Sequence, residues 1–557
     1  MPALVECVPN FSEGRDRSVI EAISRAISGV TGVRLLDVDA GADTNRTVYT
    51  FVGTPDAVSE AAFQGAFAAS GLIDMSKHEG AHPRMGALDV CPIVPISGVT
   101  MDQCVEVSRA LGRRLAEALA LPVYFYEYAA TRPERRNLAD IRAGEYEGLR
   151  QKLVNPDWAP DAGPAVFNER LGATVVGARE FLIAYNVNVN TRDQKLANEV
   201  ALNIREAGRL KRDSQGQVVT DAQGREVRVP GRLKAVKAIG WYIEQYRQAQ
   251  VSINLLSYRT TPLHEVFETS REEAAKLGLV ATGSELVGMT PLEPLLDAGR
   301  YYLQRQGRSP GLPERELVEI AVQSLGLAQL SPFDPDKRII EYAVRVAAPL
   351  VSMTVERFVD EVSSNSPAPG GGSVAALAGS LGAALAAMVA NLTVGKAGYE
   401  SAWAPLSTLA ERAQVLKAAL LRAVDEDTKA FDDVLAAMRL PKLTEEQKAA
   451  RSSAIAVAYE KATAVPLATA RLCLQALELT EQAAASGNRN SASDAGVGAL
   501  LAKAGLDAAL MNVRINLPSV KEGAFKTATL AEIAELQSKS AGPLARTIAV
   551  VDSNLKA

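Results

Sequence analysis

The stretch SKHEGAHPRMGALDV, residues 76–90, holds two of the chain's three histidines in an H-E-x-x-H arrangement of His78, Glu79 and His82. Zinc binding through this pattern needs both imidazoles one turn apart on the same face of a helix. Here Gly80 and Ala81 intervene and Pro83 follows at once. The preceding helix is therefore expected to end near Gly80, with that glycine as its C-terminal cap. The two rings then share no helical face, and no metal is expected. What such a loop can offer is an imidazole that titrates near neutral pH, on a connection of the kind that carries reactive groups. A purely structural loop histidine is the alternative.

The second candidate is a carboxylate. In the helix predicted across AVDEDTKAFDDVLAAMRLP (423–441), Leu420, Val424, Phe431, Leu435 and Met438 fall on one stripe at 100° per residue. Asp425, Glu426, Asp432 and Asp433 fall outside that stripe, whereas Asp427 points into it. Burial there raises a carboxyl pKa and keeps part of it protonated, as a general acid requires. Pairing with a buried Lys or Arg is the ordinary alternative. PAPGGGSV (367–374) places three glycines before a helix N-terminus. Exposed N–H groups there attract anions, although a tight turn for close helix packing reads the same way. No Gly-Lys-Ser/Thr follows, so it is not a Walker A loop.

These groups must be held by more than one core, because 557 residues exceed what a single domain buries. Composition is that of a globular protein, 47% hydrophobic and 22% charged, and a net charge of -5 gives no reason to expect nucleic acid as a partner. Cys7, Cys91, Cys104 and Cys473 lack C-x-x-C spacing and read as reduced thiols, which suits a cytoplasmic location. The N-terminal MPALVECVPNFSEGRD has no basic region and does not read as a signal peptide. Residues 370–395 carry no charge, but they are rich in Ala and Gly rather than Leu, Ile and Phe. Ala375, Gly379, Ala383 and Ala387 make one smooth face. The expectation is a buried bundle helix, not a membrane span.

Short β-rich runs at 3–9, 33–40, 45–53, 86–95 and 122–128 alternate with helical patterns at 17–28, 56–76 and 102–119. That order suggests a ferredoxin-like α/β sandwich over 1–178. A related order restarts with a strand at 180–189, interrupted at 212–231 by what reads as a solvated hairpin, giving a second such subdomain over 179–344. Residues 345–353 read as a linker and 354–557 as an all-α bundle, with breaks at 365–372, 441–443, 486–490 and 518–523.

ECVPNFSEGRD (6–16), LLDVDAGADTNRTVYTFVG (35–53), HEGAHPRMGALDVCP (78–92) and IRAGEYEGL (141–149) resemble glutamate formimidoyltransferase. SPAPGGGSVAALAGSLGAALAAMV (366–389) and the 423–441 helix resemble formimidoyltetrahydrofolate cyclodeaminase, as do the less informative SASD (491–494) and MNVRINL (511–517). Both in one chain, in this order, resemble the bifunctional formimidoyltransferase-cyclodeaminase family. That resemblance implies tetrahydrofolate as co-substrate, with or without a polyglutamate tail, N-formimino-L-glutamate as donor, and a homo-oligomer formed through the helical domain. It places the two catalytic roles on His82 and Asp427. It places the folate-binding segment from Gly163 and Pro164 through Ala165, Val166, Phe167, Asn168, Glu169, Arg170 and Leu171 to Gly172. Asn10, Asp39, Asn45, Arg46 and Arg84 are pocket candidates on chemistry alone, since a pterin edge wants hydrogen bonds and glutamate carboxylates want guanidinium. A formyl-transferring variant and a folate-binding scaffold without catalysis are the competing readings.

Overall fold

The computed structural model describes residues 3–80, 82–345 and 348–555; Ala81 of the H-E-x-x-H stretch and residues 346–347 of the expected linker lie outside it. By contact the chain divides into two compact units, Met1–Pro291 with Asp336–Val344, and Leu292–Pro335 with Arg345–Ala557.

The first unit holds two sheets. In the larger, β1 (Leu4–Cys7) and β2 (Asn10–Phe11) are one broken strand, followed by α1 (Arg17–Ser28), β3 (Val33–Gly41), β4 (Arg46–Gly53), α2 (Pro55–Leu72), β5 (Leu88–Ser97), α3 (Met101–Leu119), β6 (Val123–Glu127) and β7 (Thr174–Ala178). The spatial order is β3, β4, β1/β2, β5, β7, β6, antiparallel as far as β5 and parallel across β5, β7 and β6. The helices start where their caps dictate. Asp16 accepts from Ser18 N at α1, Thr54 precedes Pro55 at α2, and Thr100 with Gln103 forms a capping box at α3. Their apolar faces join Val5, Cys7, Phe51, Cys91 and Ile93 of the strands in one core. Two short helices, α4 (Leu138–Arg142) and α5 (Glu145–Val154), place Ile141, Leu149 and Leu153 against Tyr124, Tyr126 and Val175 in a second cluster.

The smaller sheet comprises β8 (Ile183–Val189), β11 (Val236–Ile243), β12 (Gln248–Leu255) and β13 (Ala281–Val287), in the order β11, β12, β8, β13 and antiparallel throughout, with α6 (Gln194–Ile204) and α7 (Leu263–Lys276). Strand β13 closes it and was not expected from sequence. The interruption is a ribbon as expected. β9 (Arg209–Leu210) pairs with β10 (Arg228–Val229), and two Asp-initiated turns at Asp213 and Asp221 reverse the chain between them.

The second unit is helical. It comprises α8 (Glu293–Arg305), α9 (Glu314–Leu325), α12 (Val355–Ser363), α13 (Gly371–Thr393), α14 (Trp403–Met438), α15 (Glu445–Ser486), α16 (Ala492–Asn516) and α17 (Ala524–Leu555). Short turns α10 (Pro335–Arg338) and α11 (Ile340–Ala343) lie where the chain revisits the first unit. Thus α8 and α9, expected from sequence within 179–344, fall by contact with the helical residues. The four expected breaks are present. A fifth, between α13 and α14, turns at Gly395 and Gly398, both at positive φ.

The smooth face of α13 is used inside the chain. A Cβ at Gly379 would meet Cys473 Sγ at 2.4 Å, and one at Gly382 would meet the Gly498 carbonyl at 2.8 Å. Small residues therefore let α13 lie against α15 and α16, as close helix packing requires. Gly371–Thr393 and Arg489–Ser519 are long and apolar enough to cross a membrane by length and composition. Their most apolar windows are 61% and 50% buried against the rest of the chain, as core helices are.

All four cysteines are free and buried. Strand pairing brings two that are distant in sequence together, with Cys7 and Cys91 Sγ 3.6 Å apart.

Candidate active sites

The loop after α2 is built differently from the expected helix end. The helix stops at Leu72, a single 3-10 turn covers Met75–Lys77, and His78–Gly80 is irregular. Gly80 is not a helix cap. A Cβ there would meet the Thr44 carbonyl at 2.3 Å, so glycine is what lets this loop lie on the β3–β4 turn. Asn45, at φ 47°, fastens the contact. Its Oδ1 accepts from Gly14 N (3.0 Å) and its Nδ2 donates to the Glu79 carbonyl (2.9 Å). Asn45 therefore spends one donor and one acceptor of its amide on the scaffold.

The two loop histidines face different partners. His78 Nε2 donates to the Asn45 carbonyl (2.8 Å), and its Nδ1 accepts from Arg84 Nε (3.3 Å). His82 Nε2 lies 2.6 Å from Arg46 Nη1. A guanidinium only donates, so the facing ring nitrogen must accept and the proton sits on Nδ1. That Nδ1 is buried without a hydrogen-bond partner of good geometry. Lone pairs that face cationic donors are the opposite of a cation site, and these residues do not fit a zinc ion.

Besides Arg46, charge around His82 comes from two residues the motif reading did not single out, Asp89 and Arg142. Asp89, in β5, is buried, accepts from Met85 N (2.9 Å) and is ion-paired with Arg142 at the end of α4. Burial lowers the His82 pKa below the ordinary imidazole value, and the Arg46 and Arg142 cations lower it further; Asp89 and the Pro83 backbone oppose them. The ring therefore stays neutral under conditions where free histidine begins to charge. Burial also raises the Asp89 pKa, against the pull of Arg142.

Not every pocket candidate is free. Arg84 is buried and forks onto Glu147 (2.7 and 2.9 Å), with Glu145 at 3.3 Å and the His78 carbonyl at 3.2 Å. It organises the 141–149 segment, and its guanidinium is already neutralised. An open depression of about 450 Å³ adjoins it, lined by Glu79, Gly80, Gly144, Glu145 and Glu147. Asn10 turns its amide to the Val8 carbonyl (3.0 Å). Asp39 is exposed on β3, and its charge is felt by Arg46.

The Gly163–Gly172 segment is an exposed loop pinned at both ends. Gly163 and Gly172 have φ of 85° and 70°, and a Cβ on either would strike a carbonyl, of Leu121 at 2.2 Å or Met85 at 2.1 Å. Pro164, Ala165 and Val166 are exposed, whereas Phe167 packs on Tyr146 with ring centroids 5.4 Å apart. Asn168 accepts from Leu171 N, Tyr146 donates to the Glu169 carbonyl, and Arg170 binds the Gly71 carbonyl and receives Met75 N. The loop is thus tied to the connection that carries His82.

In the helical unit, Asp427 approaches the N-terminus of α13 from α14. A Cβ on Gly372 would lie 2.1 Å from Asp427 Oδ1, so the carboxylate reaches the first turn only because that residue is glycine. Ser373 Oγ donates to the Val424 carbonyl (2.8 Å) and lies 3.3 Å from Asp427 Oδ2. Burial raises the Asp427 pKa above 3.8, against the Ser373 hydroxyl and N–H, which favour the anion. No Lys or Arg contributes to that shift, so the ordinary alternative of a buried ion pair is not what is found. Asp425, in contrast, accepts from Leu350 N (3.0 Å) and caps the turn before α12. Asn512 of α16, from the MNVRINL stretch, stands beside Gly371, where a Cβ would be 3.3 Å from its Nδ2. Ser373 and Asn512 were both within quoted motifs, but only packing gives them a place.

Family profiles match along the chain in order: the N-terminal subdomain of the formiminotransferase domain at residues 4–179, the formiminotransferase domain at 184–345, and formiminotransferase-cyclodeaminase at 354–535. The chain is 47% identical over 540 residues to the formimidoyltransferase-cyclodeaminase of Mus musculus, covering 96% of each. The glutamate formimidoyltransferase of Streptococcus pyogenes is 42% identical over 55% of this chain and 94% of its own length. A methenyltetrahydrofolate cyclohydrolase of Methylorubrum extorquens is 43% identical over 34% of this chain and 90% of its own length. With matches of this identity across its full length, the chain belongs to the formimidoyltransferase-cyclodeaminase family.

Proposed function

We propose that the chain is a bifunctional folate enzyme of histidine degradation, in which each unit carries one step. In the first, N5 of tetrahydrofolate attacks the formimino carbon of N-formimino-L-glutamate, a tetrahedral intermediate forms and the amine of glutamate leaves. His82 Nε2 takes the proton that N5 gives up and returns it to the departing amine. In the second, N10 attacks the formimino carbon, the ring closes to 5,10-methenyl-tetrahydrofolate, and ammonia departs with the proton held by Asp427. The observation that carries this reading is an imidazole in contact with Arg46 and a carboxyl set against the first turn of α13 with no cationic partner, each inside the family segment assigned to its step.

The same reading extends to the surroundings. Arg46 supplies a guanidinium for a donor carboxylate, and the pinned 163–172 loop supplies main-chain groups to the folate. Its exposed basic residue Arg170 suits a polyglutamate tail. The two strand orders, β3-β4-β1/β2-β5 and β11-β12-β8-β13, support ferredoxin-like sandwiches over 1–178 and 179–344. The Ala/Gly face of α13 is spent within the chain. Support for a homo-oligomer through the 354–557 domain comes instead from Val374, Leu381, Met388 and Leu392, exposed along the opposite side of α13. Four free thiols and a folate substrate support a cytoplasmic location.

The test is a two-wavelength assay with tetrahydrofolate and N-formimino-L-glutamate. Wild type forms methenyl-tetrahydrofolate, His82→Ala forms nothing, and Asp427→Ala releases glutamate and accumulates 5-formimino-tetrahydrofolate. The cyclohydrolase relative favours one second reading, in which a formyl donor is used and water leaves instead of ammonia. Turnover of N-formyl-L-glutamate without ammonia release would replace the first reading. A folate-binding scaffold would turn over neither donor.

A further inference from the structure

Three guanidiniums surround the His82 loop, and two are already committed. Arg142 is held by buried Asp89, and Arg84 by Glu147 and Glu145. Among the described residues Arg46 has no carboxylate in ion-pair contact, and its partner is His82 Nε2 at 2.6 Å. This contact occupies the lone pair that a general base must use. The other ring nitrogen offers no substitute, since Nδ1 is buried and holds the proton that Arg46 forces onto it. His82 and Arg46 thus place a blocked base and an unpaired cation in one contact.

We propose that Arg46 masks His82 until a carboxylate of the glutamyl donor draws the guanidinium away, so that donor binding itself unmasks the base. A carboxylate is the better acceptor, because it gives Arg46 a charge-assisted, bidentate partner in place of a neutral ring nitrogen. Once Arg46 turns to it, Nε2 faces the attacking amine with its lone pair open. When glutamate departs, Arg46 returns and the base closes. Donors with an uncharged side chain neither anchor nor unmask, so specificity and activation share one residue. The proposal rests on the reading of His82 as the base of the first step.

The chain has three histidines, so ¹⁵N-histidine labelling of the full-length protein yields three rings to follow by NMR, with His82→Gln assigning the relevant one. In wild type the unprotonated Nε2 of His82 should show the shift of a strong hydrogen-bond acceptor. Saturating L-glutamate should move it to the position seen in Arg46→Gln, and uncharged glutaramide should leave it in place. Carbethoxylation of His82, read by peptide mapping, should be slow in free wild type and accelerate with L-glutamate. This measurement needs no variant to fold. Arg46→Gln should raise the KM for the donor by about 10- to 100-fold, the range of one lost charge-assisted contact. An Nε2 shift identical in wild type and Arg46→Gln, or one that ignores glutamate or responds equally to glutaramide, overturns the proposal. Retention of the first step by His82→Ala overturns the underlying reading instead, whatever the NMR shows.

Discussion

Asp427 Oδ1 occupies the space in which a side chain at residue 372 would begin, 2.1 Å from the position of a Cβ on Gly372. The carboxyl and the first turn of α13 are thus fitted to each other at a distance only glycine permits. Gly372→Ala should displace Asp427 by the order of an ångström and lower the second step by about 100-fold, the usual penalty for such misplacement of a reacting group. Glutamate release in the first step should be unchanged. A variant that forms methenyl-tetrahydrofolate at the wild-type rate would show that the contact does not position the acid.

Asp427 also makes a statement about pH. Its folded pKa lies above the 3.8 of a free side chain because burial disfavours the anion. Between those two values the folded state binds more protons than the unfolded one, so stability falls as pH rises through the raised value. Asp427→Asn removes that loss. It should raise Tm at neutral pH relative to wild type while lowering the second step by about 10²- to 10⁴-fold, as loss of a general acid does. In wild type the rate of the second step should decline with rising pH across the same window. A lower Tm for the asparagine variant at neutral pH would mark Asp427 as a structural anion.

The first step should respond to pH in the other direction. His82 is held neutral below the ordinary 6.5 of imidazole by burial and two guanidiniums. The acid limb of its donor kcat/KM, where the base becomes protonated, should therefore lie at lower pH than the 6.5 of an ordinary imidazole. Asp89 opposes that shift. Asp89→Asn should move the acid limb lower still, and it should destabilise the first unit by about 3–5 kcal/mol because Arg142 loses its buried partner. An acid limb that moves upward would mean Asp89 does not act on His82 by charge.

Asn45 is expected to matter through the backbone. Asn45→Ala leaves Gly14 N–H and the Glu79 carbonyl without partners and places alanine at φ 47°. A loss of about 1–3 kcal/mol is expected in the denaturant midpoint of the first unit, with a slower first step. The second step, supplied with 5-formimino-tetrahydrofolate, should proceed normally.

The ribbon should be dispensable. Leu210 and Arg228 are cross-strand neighbours, so a two-residue Asn-Gly turn in place of residues 211–227 closes the same pair. Both steps should survive the deletion at wild-type rates. Loss of either activity in a folded deletion variant would give the ribbon a role beyond the surface.

Much of this was legible locally. Helix phase is set by 3.6 residues per turn, so Asp427 could be aimed inward from sequence alone, and it is half-buried without a cationic partner. The expected stripe itself holds only at Leu420 and Val424, because past Asp427 the buried face drifts to Ala430, Val434 and Ala437 and leaves Phe431 and Met438 exposed. The same local rules placed the β-α-β-β-α-β order and showed that H-E-x-x-H lacked a helix. Strand β13 escaped because its seven residues, ATGSELV, carry few large apolar side chains, and the Gly395 break because it interrupts a continuous helical pattern.

By itself, the sequence determined most of the elements and the family motifs, and it singled out a loop imidazole and an inward-facing carboxyl as candidates, since each depends on chemistry or on neighbours within a few turns of chain. Only the tertiary structure decided what those residues face. Arg46 meets His82 across 36 residues, Arg142 meets Asp89 across 53, and Arg84 is neutralised by Glu147 across 63. The smooth stripe of α13 was readable, but not that it would be spent on α15 and α16. A pKa, a free guanidinium and a masked lone pair are properties of such through-space neighbours, and no periodicity along the chain encodes them.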